Sequence, residues 1–127
     1  MTQTVTLIGL KACDTCKKGR KWLDGQGIAH TARDVRADGL APAELAAWMT
    51  AHGNWEPFLN RRGTTWRGLP QADRNGVDRA WAVDLIATHP TLMKRPVIVM
   101  KAGGKTTVTV GFGTEAQAEI LTAARKY

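Results

Sequence analysis

Two cysteines three residues apart, Cys13 and Cys16, are the only thiols in 127 residues, and their surroundings favour ionisation. Before them, Val5-Thr6-Leu7-Ile8-Gly9 has the β-branched, apolar content of a short buried strand. Behind them, Lys17 to Gln26 reads as an amphipathic helix that stops at Gly27. A sulfur at that junction meets unpaired backbone N–H groups and has Lys17, Lys18, Arg20 and Lys21 close behind, and both effects favour the thiolate, the reactive form. Residues three apart on a helix share a face, so the pair can approach the Cα separation of about 4.4–6.8 Å that a disulfide tolerates. Cys16, Gly19 and Leu23 fall on one apolar stripe. The expectation is a more exposed, attacking Cys13 and a more buried, resolving Cys16. Asp14 between them reads as a helix cap, and Thr15 as a cap or a donor to the Cys13 sulfur.

Two structural thiols are the alternative reading of so short a motif. A zinc site takes about four ligands. There is no second cysteine pair, and His30, His52 and His89 share no ligand spacing; no metal is expected. The three histidines stand near element ends and read as surface or capping residues.

Lysine and arginine number 18 against 11 acidic residues, a formal net charge of +7. That excess suits an anionic substrate, an acidic protein surface or nucleic acid, but it is spread over residues 17–21, 61–67 and 94–101. No nucleic-acid-binding module is recognisable. Most of the five tryptophans, Trp22, Trp48, Trp55, Trp66 and Trp81, lie on expected helices among aliphatic residues, the pattern of core packing rather than base stacking. The first residues lack a basic segment ahead of an apolar one, and no stretch approaches the ~20 apolar residues of a membrane span. A cytoplasmic protein without membrane contact is expected. In that compartment thiols stay reduced and a CxxC pair is more often catalytic or redox-sensing than structural.

The elements that must position the pair follow from hydrophobic pattern and turn residues. A second strand is expected at Ala29–Val35, then a helix opened by Pro42 and running to Gly53. A short helix follows at Trp55–Asn60, and another from Arg74 or Asp78 to Thr88, with Trp81, Leu85 and Ile86 on its apolar face. Pro96–Met100 and Thr106–Val110 flank a Gly103-Gly104 turn and read as a hairpin. A last helix is expected from Thr114 to Arg125 or Lys126. The order predicts a single α/β domain over residues 1–127: a thioredoxin-like four-stranded mixed sheet flanked by helices, with a helical insertion at about 40–90 between a βαβ and a ββα part.

Four segments, Gly9-Leu10-Lys11-Ala12-Cys13-Asp14-Thr15-Cys16-Lys17-Lys18, Leu59-Asn60-Arg61-Arg62-Gly63-Thr64-Thr65-Trp66-Arg67, Lys94-Arg95-Pro96-Val97 and Gly111-Phe112, resemble the ArsC/Spx/YffB-like proteins, thioredoxin-fold relatives of glutaredoxin-linked arsenate reductase. The resemblance is closest to the YffB-like branch. It implies a glutathione-dependent thiol reductase with Cys13 as nucleophile, Arg95 as an anion-binding arginine and Pro96 as the cis-proline beside the active cysteine. Apart from the resemblance, the 60–67 segment is dense in donors and reads as a loop that binds an anion, with Asn60, Arg61, Arg62 and Arg67 as candidates alongside Lys11, or as a loop that caps the helical insertion with Trp66 packed beneath. Arsenate-reducing relatives carry an arginine where Asn60 stands and another near Gly111-Phe112-Gly113. A neutral side chain does not replace a bidentate guanidinium, so arsenate itself is not favoured as a substrate.

The leading expectation is therefore a cytosolic thiol–disulfide oxidoreductase with no bound cofactor, glutathione as co-substrate and glutaredoxin as a possible partner. The alternatives are an Spx-like redox-sensing regulator that contacts RNA polymerase and a true arsenate reductase.

Overall fold

The computed structural model of the chain describes residues 3–125. In chain order the elements are strand β1 (Gln3–Gly9), helix α1 (Asp14–Gly25), strand β2 (Thr31–Asp34), helices α2 (Val35–Asp38), α3 (Pro42–His52), α4 (Thr64–Arg67), α5 (Gln71–Arg74) and α6 (Arg79–Thr88), strands β3 (Val97–Ala102) and β4 (Lys105–Val110), and helix α7 (Thr114–Arg125). Single 3-10 turns sit at Glu56–Phe58 and Pro90–Leu92. Among the described residues no helix is long and apolar enough to cross a membrane.

The four strands form one mixed sheet in the order β2-β1-β3-β4. β1 runs parallel to β2, with Leu7 opposite Ala32 and Gly9 opposite Asp34. It runs antiparallel to β3, with Leu7 opposite Ile98, and β3 and β4 close the hairpin. Alternation along the strands then sorts the core into two layers. Val5, Leu7, Ile98 and Met100 face α1 and α7, where Cys16, Leu23 and Ile120 meet them. Ile8, Val97, Val99 and Val108 face the helical insertion, where Leu45, Met49, Phe58, Ile86 and Leu92 close the larger core. These two layers are the expected thioredoxin-like architecture.

Several expected boundaries shift for local reasons. The second strand is shorter than 29–35 because Asp34 caps α2, accepting the N–H groups of Arg36 at 2.8 Å and Ala37 at 3.2 Å, so the chain turns helical at Val35. The 55–60 segment is a 3-10 turn, and 60–67 is not loop throughout, since Thr64–Arg67 makes one helical turn. Asp78 caps α6 by accepting Trp81 N–H at 2.9 Å. Trp81 itself departs from the expected apolar face: it is 38% exposed, and its indole N–H donates to the Asp73 carbonyl at 2.9 Å. The buried face of α6 is Ala82, Val83, Leu85 and Ile86.

Candidate active site

The end of β1 delivers Gly9 into the tightest contact of the site: a Cβ on it would overlap the Cys16 sulfur and meet the Cys16 Cβ at 3.4 Å. The chain then turns through Leu10-Lys11-Ala12. Cys13 N–H donates to the Leu10 carbonyl at 3.2 Å, and Lys17 N–H to the Cys13 carbonyl at 3.0 Å, so Cys13 is the residue capping α1. Asp14 is not that cap; it lies inside the first turn. Cys16 is fully buried, together with Gly19 and Leu23. Cys13 is half-buried, and both thiols are free.

The environments push the two sulfurs apart. Partial burial on its own raises the Cys13 pKa. That is outweighed by hydrogen bonds from the Cys16 backbone N–H, the Cys16 thiol, the Arg95 guanidinium and the Thr15 backbone N–H, so Cys13 ionises below its ordinary value of 9.0. Thr15 therefore acts on the sulfur through its backbone. Cys16 moves the other way, to about 11: burial is the main cause, and the hydrogen bond to Cys13 and the charge there add to it. The Leu10 N–H and Arg95 only partly offset these. One sulfur is made easier to ionise and the other harder.

Arg95 is positioned from the segment before β3. Its Nη1 donates to the Thr91 carbonyl at 2.9 Å and the Met93 carbonyl at 3.3 Å, while its buried Nε has no hydrogen-bond partner among the described residues. The Arg95–Pro96 bond is cis. Pro96 is buried, and its carbonyl accepts Gly111 N–H at 2.9 Å, which brings Gly111-Phe112 alongside. A Cβ on Gly19 would lie 3.6 Å from Pro96 and 3.8 Å from Phe112, so α1, the proline and Phe112 meet at one place. Phe112 stacks edge-on against Trp22, with ring centroids 5.6 Å apart. Lys94 runs along Gly111, whose φ is +80°.

The 60–67 segment is tied to the strip that carries Arg95. Asn60 N–H donates to the Leu92 carbonyl at 2.8 Å, and Lys94 N–H to Phe58 at 2.9 Å. The hydroxyls of Thr65 and Thr91 share a hydrogen bond of 2.8 Å. Within the segment, the Asn60 side chain accepts Arg62 N–H at 3.0 Å and so shapes the turn. The Arg61 guanidinium lies over the Trp66 ring at 5.8 Å. Arg62 and Arg67 are exposed. Lys11 stands on the opposite side of the nucleophile loop, toward β2: its N–H donates to Asp34 at 2.9 Å, and its side chain is exposed. Gly9, Leu10 and Thr91 are site neighbours not named among the candidate site residues: Gly9 and Leu10 meet the Cys16 sulfur and Thr91 meets Arg95. Gly9 and Leu10 lie within the segments that carry the family resemblance, and Thr91 has no signal in the sequence.

Comparison with known proteins bears on the family and the fold. The model of the ArsC family matches residues 8–120. An uncharacterized protein of Haemophilus influenzae is 42% identical over 95 residues, covering 75% of this chain and 82% of that protein. The solved structure of the YffB protein is 42% identical, with a TM-score of 0.77 over 91% of this chain and 96% of that one. The global transcriptional regulator Spx of Listeria innocua is 29% identical over 97 residues, 75% of this chain and 72% of the regulator.

Proposed function

The chain belongs to the ArsC family of thioredoxin-fold redox proteins, and from that premise we propose that it is a cytoplasmic thiol–disulfide oxidoreductase that works with glutathione. The Cys13 thiolate attacks one sulfur of a disulfide R–S–S–R′. A Cys13–S–S–R bond forms as the S–S bond breaks, and R′–S⁻ leaves and takes a proton from solvent. Cys16 then loses its proton and attacks the Cys13 sulfur, expelling R–S⁻ and closing a Cys13–Cys16 disulfide. Two glutathione thiols supply the two electrons that restore the dithiol and leave as glutathione disulfide. Arg95 stabilises the anionic sulfur through the hydrogen bond that its guanidinium makes to it.

The observation that carries this reading is the asymmetry between the sulfurs: a half-buried Cys13 beside Arg95 that ionises below its ordinary value, and a sealed Cys16 raised to about 11. Cys13→Ser is expected to abolish reduction of a glutathione mixed disulfide, whereas Cys16→Ser is expected to trap the mixed disulfide on Cys13, visible by mass spectrometry. Retained turnover in Cys13→Ser would refute the assignment. The similarity to Spx supports a second reading, a redox-sensing regulator that contacts RNA polymerase. Co-purification with the polymerase under oxidising but not reducing conditions, without turnover, would decide for it.

A further inference from the structure

Beside the nucleophile loop, on the side away from Arg95, the fold leaves a hollow of about 190 Å³ between α1 and the edge strand β2, roughly six water volumes at about 30 Å³ each. Its floor is made by Leu7 and Gly9 of β1 and Ala32 of β2. Two of these three are among the smallest residues, so no bulky side chain fills the space. Its rim carries Lys11 from the loop, Arg20 from α1 and Asp34 from the end of β2. Neither Lys11 nor Arg20 has an ion-pair partner among the described residues. Asp34 is already engaged: one oxygen takes Lys11 N–H and the other the N–H groups of Arg36 and Ala37. Arg33, which also borders the hollow, commits its guanidinium to Glu44 at 2.6 Å on the other face of the sheet. Two unpaired cations against one engaged carboxylate leave a net single positive charge among the residues that line an open, partly apolar space.

We propose that this hollow is a binding subsite for one carboxylate of the thiol substrate, held between Lys11 and Arg20 while its sulfur reacts at Cys13. The charge selects a monoanion over a phosphate. Lys11 lies two residues from Cys13, within about 7 Å of chain, the reach from a cysteinyl sulfur to a carboxylate one residue away. The guanidinium of Arg20 suits a planar carboxylate. The subsite rests on the reductase reading and adds where the peptide end of the substrate lies: along β2, opposite the Arg95 and 60–67 side.

The probes are S-methylglutathione, which cannot react, and its diethyl ester, which lacks the carboxylates, each titrated into the reduced full-length protein by NMR. The acid is expected to shift the backbone amides of Lys11, Ala32 and Asp34. Arg20→Ala is expected to weaken acid binding about tenfold, as loss of a charge-assisted contact should, and to leave the ester's affinity unchanged. Ala32→Leu, which fills the hollow without touching any charge, is expected to weaken the acid as well. Equal loss for acid and ester, no loss in either variant, shifts confined to residues 60–67 and 94–96, or no binding of the acid would each overturn the subsite. The reductase reading is judged separately, by Cys13-dependent turnover of bis(2-hydroxyethyl) disulfide, which has no carboxylate.

Discussion

At the scale of single residues, the site is defined by what each sulfur touches. Because the fold lowers the Cys13 pKa, its alkylation rate should titrate with a midpoint below 9.0, read by iodoacetamide labelling across pH. Cys16 gives the opposite signature in stability. Its folded pKa of about 11 lies above its ordinary 9.0, so the native protein keeps that proton where the unfolded chain has lost it. The stability this contributes is complete below pH 9 and falls between pH 9 and 11, by about 1.4 kcal/mol per pH unit. Urea unfolding of the reduced protein should show that alkaline loss, and Cys16→Ala should remove it. Gly9→Ala is expected to cost about 1–3 kcal/mol through overpacking against the Cys16 sulfur, and to slow Cys13 alkylation by displacing the first turn of the helix that hydrogen-bonds to it.

At the scale of elements, the strip before β3 and the end of β4 hold the Arg95 side of the site together through Gly111 N–H and the Pro96 carbonyl. Gly111→Ala would force a side chain into the left-handed region and against the Lys94 stem at 3.2 Å. The expected cost is about 1–2 kcal/mol, with a larger proportional drop in turnover than in Cys13 alkylation, measured on the same preparation. Much of this level was legible in the sequence. Cys16, Gly19 and Leu23 share a helical stripe and all three are buried. Gly103-Gly104 marks the hairpin, where both residues have positive φ. The helices α2, α4 and α5 escaped because four residues are too few to show a period; α2 exists because Asp34 caps it. Trp81 was misplaced because apolar character alone does not say which edge of a stripe turns outward, and a bond from its indole to Asp73 fixes it there. The neighbours of Arg95 escaped for another reason: Thr65 and Thr91 meet across 26 residues, and no local spacing reports such a pair.

At the scale of the whole molecule, the sheet separates two cores with different duties. The larger packs the insertion and sets the strip that presents Arg95; the smaller encloses Cys16 with α1 and α7. A net charge of +7 surrounds a site that already offers cations on both sides of the nucleophile loop. Anionic disulfides should therefore be drawn in by long-range attraction. Raising salt from about 0.1 to 1 M shortens the screening length from about 10 to 3 Å. The kcat/KM for glutathione disulfide should fall several-fold over that range, while that for the uncharged bis(2-hydroxyethyl) disulfide should stay nearly constant, measured by the same coupled assay.

The mutual dependence of the two thiols has a temporal consequence. Two of the three influences that keep the inner one protonated come from its outer neighbour, as a hydrogen-bond acceptor and as a negative charge. Once that neighbour is bonded to a substrate its charge is gone, and only desolvation still restrains the inner sulfur. Completion of the first step thus loosens the hold on the second nucleophile while burial, its largest part, remains: an ordering built into four consecutive residues.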